Sequence, residues 1–68
     1  MQRYEKINFA RGVFAGKLRT MRSMIANIEA RTDISAADKA LACDGLRENV
    51  VEYEAMLRDE HALEDWAS

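Results

Sequence analysis

Two stripes of apolar residues, each stepping alternately by three and four, flank a single break in a chain without proline. The first stripe is Tyr4, Ile7, Phe14, Leu18, Met21, Ile25 and Ile28, with Arg11 filling the one missing slot. The second is Cys43, Leu46, Val50, Tyr53 and Leu57, continuing to His61. Steps of three and four keep residues on one side of an α-helix, so each stripe predicts a helix with one apolar seam. Eleven alanines, with many Arg, Glu, Leu and Met residues, add intrinsic helix propensity. Nowhere does apolar–polar alternation coincide with β-branched enrichment, so no strand is expected.

The first helix is expected over about residues 2–31 and the second over about 36–66. The break falls at Thr32 to Ser35. Ser35 followed by Asp38 resembles a capping box with Asp in place of Glu, which makes Ser35 the expected N-cap, Thr32 and Asp33 being the alternatives. A connection this short makes the helices antiparallel neighbours. Counting rise along both helices, cross-hairpin partners sum to about 67 in residue number, which sets Phe14 level with Tyr53, Met21 with Leu46 and Ile25 with Cys43. The fold class that follows is all-α, an antiparallel two-helix hairpin forming one domain over residues 1–68.

One hairpin gives a chain of 68 residues little core. Below roughly 70–80 residues some further staple is normally needed. A single cysteine excludes an internal disulfide, and a single histidine, His61, leaves no pattern for structural zinc. Self-association is the staple that remains. Both helices also carry a second apolar cluster near the open end of the hairpin. On the first helix it is Phe9 and Val13, flanked by Gly12 and Gly16; on the second it is Met56, Leu63 and Trp66. An apolar end of this kind has to meet something, and a second copy is the cheapest answer. The expectation is a homodimer forming a four-helix assembly, with Phe9, Gly12, Val13 and Gly16 at the dimer contact.

Charge is divided unevenly. Residues 1–31 hold seven basic side chains against two acids, and residues 32–68 hold ten acids against three basic ones. Interhelical ion pairs explain part of this asymmetry. Asp44, Glu48, Glu52 and Asp59 fall away from the seam, however, and steps of four set carboxylates about 6 Å apart along the axis. Such an outward row resembles the charge pattern of a nucleic-acid backbone and would attract a basic protein surface. Asp44, Glu48, Glu52 and Asp59, together with Met56, Leu63 and Trp66, are therefore the candidate partner-binding residues. Arg3, Lys6, Lys17 and Arg31 support the competing possibility that the basic first helix holds RNA or DNA phosphates. An acidic balance, with no recognition-helix motif, weighs against it.

Enzyme chemistry finds no support. The chain has no Gly-rich phosphate loop, metalloprotease motif or nucleophile elbow. His61 and Asp65 lie one turn apart, but one imidazole among exposed carboxylates makes a poor metal site. Cys43 reads as a small core residue. No catalytic residue, metal or cofactor is assigned. Met1 to Gly16 has no continuous apolar core and no run of about 18 apolar residues occurs, so neither a signal peptide nor a membrane span is expected. A lone cysteine suits a reducing compartment, which makes the cytoplasm the expected location.

The whole arrangement (seam Tyr4 to Ile28, turn Thr32 to Ser35, seam Cys43 to Leu57) resembles two groups of small helical-hairpin dimers. One is the plasmid copy-control proteins that bind RNA. The other is the small phage-encoded inhibitors of host regulators, of the quorum-sensing anti-activator or anti-CRISPR type. The second resemblance suits the acidic row and the leftover apolar cluster better. It implies a non-enzymatic interaction module that occupies a basic, DNA-binding-type surface of a host regulatory protein. The first implies an RNA-binding hairpin dimer using the basic first helix.

Overall fold

The computed structural model describes all 68 residues and is all-α, with no strand. Helix α1 runs Arg3–Glu29, α2 runs Ala36–Leu57 and α3 runs Glu60–Ala67. The first expected helix is present with its ends moved in by one or two residues. The second is not one helix: the stretch expected to be continuous over 36–66 breaks at Arg58 and Asp59.

Each boundary has a local cause. Ser35 adopts an extended conformation and its hydroxyl accepts the Asp38 backbone N–H at 3.1 Å, the expected N-cap. Just before it, the Arg31 guanidinium grips both Asp33 oxygens at 2.9 and 2.5 Å. α1 carries no basic residue in its last turn. Lys39 supplies one from α2, donating through Nζ to the Glu29 carbonyl at 2.9 Å and satisfying a carbonyl that lacks an intrahelical partner. At the second break Asp59 is extended, and its carboxylate accepts the Ala62 N–H at 3.1 Å. Asp59 therefore caps α3, with Glu60 adding favourable negative charge to its first turn.

That break lets the chain reverse. Leu63 becomes fully buried and joins Ile7, Ala10 and Phe14 in the central cluster, with Tyr53, Met56, Leu57 and Ala67 packed around it. Burying a leucine side chain stabilises by about 1.5–3 kcal/mol, which offsets a break that costs a few backbone hydrogen bonds, one of them replaced by the Asp59 cap. Arg3 holds the same contact from outside, lying 3.3 Å from Glu64 and 3.7 Å from Glu60. Glu60 and Glu64 are one turn apart and so face it together.

The α1 seam is displaced from the expected one at its start. Tyr4 is 70% exposed, and the seam begins at Ile7. His61, expected to extend the α2 seam, is exposed because α3 turns Leu63 inward instead. Cys43 is fully buried, as its seam position required.

The register agrees with the expected sum of 67 where Phe14 meets Tyr53, ring centroids 5.6 Å apart. Two pairs of long side chains depart from it: Arg22 with Glu54 at 3.4 Å and Arg47 with Glu29 both sum to 76, whereas Lys39 on the Glu29 carbonyl, nearest the connection, sums to 68. Six non-helical residues, Ala30 to Ser35, make the connection, and α2 starts beyond the end of α1. Ala36 to Ala42 are accordingly exposed apart from Lys39. The molecule measures 49 Å along its axis, longer than the roughly 40 Å of a 27-residue helix.

The result is α1 packed along α2, thickened to three helices at one end only. Ile7, Ala10, Phe14, Leu18 and Leu63 are buried in or beside the three-helix end. In the two-helix half only Cys43 is buried, while Met21, Ile25, Ile28, Leu46 and Val50 stay half-buried.

Candidate functional site

The acidic row is present on the outer side of α2. Asp44, Glu48 and Glu52 are exposed and stand one turn apart, opposite the buried Cys43 and half-buried Val50. The ion pairs between elements use other acids: Glu54 with Arg22, Glu29 with Arg47, and Glu60 and Glu64 with Arg3. Asp33 is taken by Arg31, whose hydrogen bonds hold its carboxyl down at about 2. Asp44, Glu48, Glu52 and Asp59 form no salt bridge. Charge pairing within the hairpin thus accounts for part of the acidic excess and leaves the row free.

Asp59 differs from the other three. Its position in the row assumed an unbroken helix; in the structure its carboxylate caps α3. The same reversal gathers residues that the sequence set apart. Glu52, Asp59, Met56 and Trp66 line one groove of about 410 Å³, with Phe14, Tyr53 and Ala55 completing it. Two acids of the row and two members of the apolar cluster therefore share one surface depression. Leu63 does not reach it, because it is fully buried in the core and has no surface to offer a partner.

Trp66 closes one side of this groove while remaining 47% exposed. Its ring lies edge-on to Phe14 at 5.0 Å and stacks on Phe9 at 6.2 Å. Phe9 is 56% exposed and Val13 half-buried. Gly12 and Gly16 have open space where a side chain would project, so nothing within the chain packs closely against them.

Two apolar residues on the acidic face escaped the sequence reading. Leu41 and Val51 are 75% and 66% exposed. Leu41 precedes Glu48 by seven residues and Val51 follows it by three, spacings that put both beside the row on a helix. Neither residue lies on a seam, so seam periodicity does not single them out.

The basic side chains set against RNA or DNA are largely engaged within the chain. Arg3 binds Glu60 and Glu64 and lies 5.8 Å over the Tyr4 ring. Lys17 sits 5.9 Å over the Tyr53 ring, and Arg31 is forked onto Asp33. His61, Asp65 and their neighbours do not bring together three side chains able to hold a metal ion. No helix is long and apolar enough to cross a membrane.

No protein-family model, curated protein or solved structure matches the chain.

Proposed function

We propose that the protein is a non-enzymatic, homodimeric interaction module that inhibits a regulatory protein by occupying its basic, DNA-binding-type surface. The observation that carries this reading is the free acidic row: Asp44, Glu48 and Glu52 are exposed, stand one turn apart and form no salt bridge, while Glu29, Glu54, Glu60 and Glu64 are paired between helices. Carboxylates spaced about 6 Å apart on a rigid helix present a regular line of negative charge to a cationic face. Leu41 and Val51 beside the row, and Trp66 and Met56 in the groove that begins at Glu52, add the desolvated contacts that slow dissociation. The role as an inhibitor of anti-activator or anti-CRISPR type rests on the resemblance of the helical arrangement, and cytoplasmic action goes with it. The engagement of Arg3, Lys17 and Arg31 within the chain favours this reading over an RNA-binding one.

The test compares proteins captured from a cell extract by the wild type and by the double variant Glu48→Lys, Glu52→Lys. A captured protein that is lost with the variant and eluted by duplex DNA is the expected result. Capture that survives both charge reversal and DNA competition contradicts the proposal. A salt-sensitive mobility shift of total RNA, abolished by Lys6→Ala and Lys17→Ala, establishes the RNA-binding alternative.

A further inference from the structure

The break at Asp59 opens the 410 Å³ groove, walled by α2 and α3 with Phe14 of α1 completing it. Along α2 its wall is Glu52, Ala55, Met56 and then Asp59, positions that share one side of a helix. Two apolar side chains thus lie between two carboxylates. Trp66 of α3 adds an aromatic ring that is about half exposed, and Tyr53 adds another.

Charge sets this groove apart from the other depressions of the surface. The two between α1 and α2 hold arginines, Arg19 and Arg22 in one and Arg22 and Arg47 in the other. No basic residue lines the groove at Trp66, and neither Glu52 nor Asp59 forms a salt bridge. Asp59 accepts the Ala62 N–H on Oδ1, which leaves Oδ2 for another donor. The aromatic rings add to the negative character, because their faces attract cations. One instance is already present: Lys17, from outside the groove, lies 5.9 Å over the Tyr53 ring.

We infer that the groove takes the side chain of one arginine from the partner's basic surface. The inference rests on the proposed function and deepens it, naming the residue type that the partner presents. Three features fit that side chain. Its methylene stem is apolar, as are Ala55 and Met56. Its guanidinium is flat and stacks on aromatic faces, of which the indole of Trp66 is the strongest cation acceptor. Its five N–H donors fork onto carboxylates, which Glu52 and Asp59 supply at the two ends of the α2 wall. An ammonium brings the charge without the plane or the fork, so lysine is the poorer occupant. Glu52 is also the last acid of the Asp44, Glu48, Glu52 row, so a cationic surface lying along the row meets the groove directly. The row draws that surface in, and the groove holds one residue of it.

Trp66 is the only tryptophan, so its fluorescence reports the groove. The experiment titrates the full chain with acetyl-Gly-Arg-Gly-amide and with the same tripeptide carrying lysine or citrulline, the uncharged isostere of arginine. A saturable change with the arginine peptide is expected, at a dissociation constant of about 1 mM. Lysine binds less tightly, and citrulline about tenfold less tightly, the loss that goes with one charge-assisted contact. Two variants place the site. Glu52→Gln weakens the arginine peptide about tenfold. Ala55→Leu fills the groove without changing charge and abolishes the response. Both positions are exposed and both replacements are good helix formers, so the fold is retained. No saturation with the wild type overturns the inference, as does lysine or citrulline binding as tightly as arginine. Arginine binding that survives either variant unchanged overturns it as well. Should a variant lose helicity, amide shifts of the wild type with the arginine peptide decide. Shifts centred on Ala55 and Trp66 support the groove, and shifts confined to Asp44 and Glu48 refute it. The titration needs no partner protein, so it fails separately from the proposed function. A partner lost with Glu48→Lys, Glu52→Lys in a chain that binds no arginine peptide refutes the pocket and keeps the inhibitor reading; arginine binding without any captured protein does the reverse.

Discussion

Trp66 stands edge-on to Phe14, with ring centroids 5.0 Å apart and planes inclined by 67°. Tyr53 touches the same ring, 5.6 Å away. Thirteen residues of unbroken helix would separate Tyr53 from Trp66 by about 20 Å. Phe14 therefore marks the point to which the chain returns after reversing at Asp59. Trp66→Ala removes an aromatic contact worth about 0.5–1.5 kcal/mol beyond its buried area, and a loss near 2 kcal/mol in all is expected. For a chain this small that lowers the thermal midpoint by roughly 10 °C. Thermal unfolding followed by circular dichroism measures it, and an unchanged midpoint would place Trp66 away from Phe14.

The reversal also depends on the carboxylate of Asp59. Asp59→Ala leaves the Ala62 N–H without its acceptor and is expected to cost about 1 kcal/mol. The damage is local. Amides of residues 60–67 will exchange faster with solvent while those in the middle of α1 keep their protection. Asp59→Asn retains an oxygen acceptor and most of the stability. Equal exchange in Asp59→Ala and wild type would show that the cap contributes nothing.

Asp33 sets an acid limit on the connection between α1 and α2. Its carboxyl is held at about 2, below the ordinary 3.8, first by the hydrogen bonds from Arg31. The stabilisation from this pair is present above pH 4 and fades as pH falls through 2. Both partners are exposed, so the effect on global stability is small and screened by salt. The direct readout is the titration of the Asp33 carboxyl by nuclear magnetic resonance. A midpoint near 2 is expected in the wild type, rising towards 3.8 in Arg31→Gln. A midpoint that ignores the Arg31 replacement would dissolve the pair.

Gly45 lies inside α2 on an exposed face, and open space surrounds the position of a missing side chain. Nothing in the fold calls for glycine there. Gly45→Ala is expected to stabilise by about 0.8–1 kcal/mol, through the lower entropy of the unfolded chain and better helix propensity. Denaturant unfolding would show a raised midpoint at unchanged slope. If alanine weakens partner capture while raising stability, the gap at Gly45 belongs to the binding face.

Much of the architecture was legible because it is written in short-range spacing. The three-and-four stepping through Phe14 and Leu18, the Ser35 cap and the outward placement of Asp44, Glu48 and Glu52 each depend on residues within a turn or two. Helical geometry turns such spacings directly into faces. The packing of α1 against α2 followed from the short connection, and the Phe14–Tyr53 pairing from counting rise along both helices.

What the sequence alone determined, then, is the number of seams, their periodicity and the outward face of Asp44, Glu48 and Glu52. The tertiary structure decided where α2 ends. An aspartate amid good helix formers can continue a helix or cap a new one, and local propensities differ by less than about 1 kcal/mol between these outcomes. The choice falls to Leu63 and Trp66, which gain more by reaching Ile7 and Phe14, about fifty residues away in sequence, than by remaining on a straight helix. That long-range burial removes Leu63 from the surface, turns Asp59 into a cap and brings Glu52 beside Trp66. Apolar burial has no fixed spacing along the chain, so no periodicity could announce it.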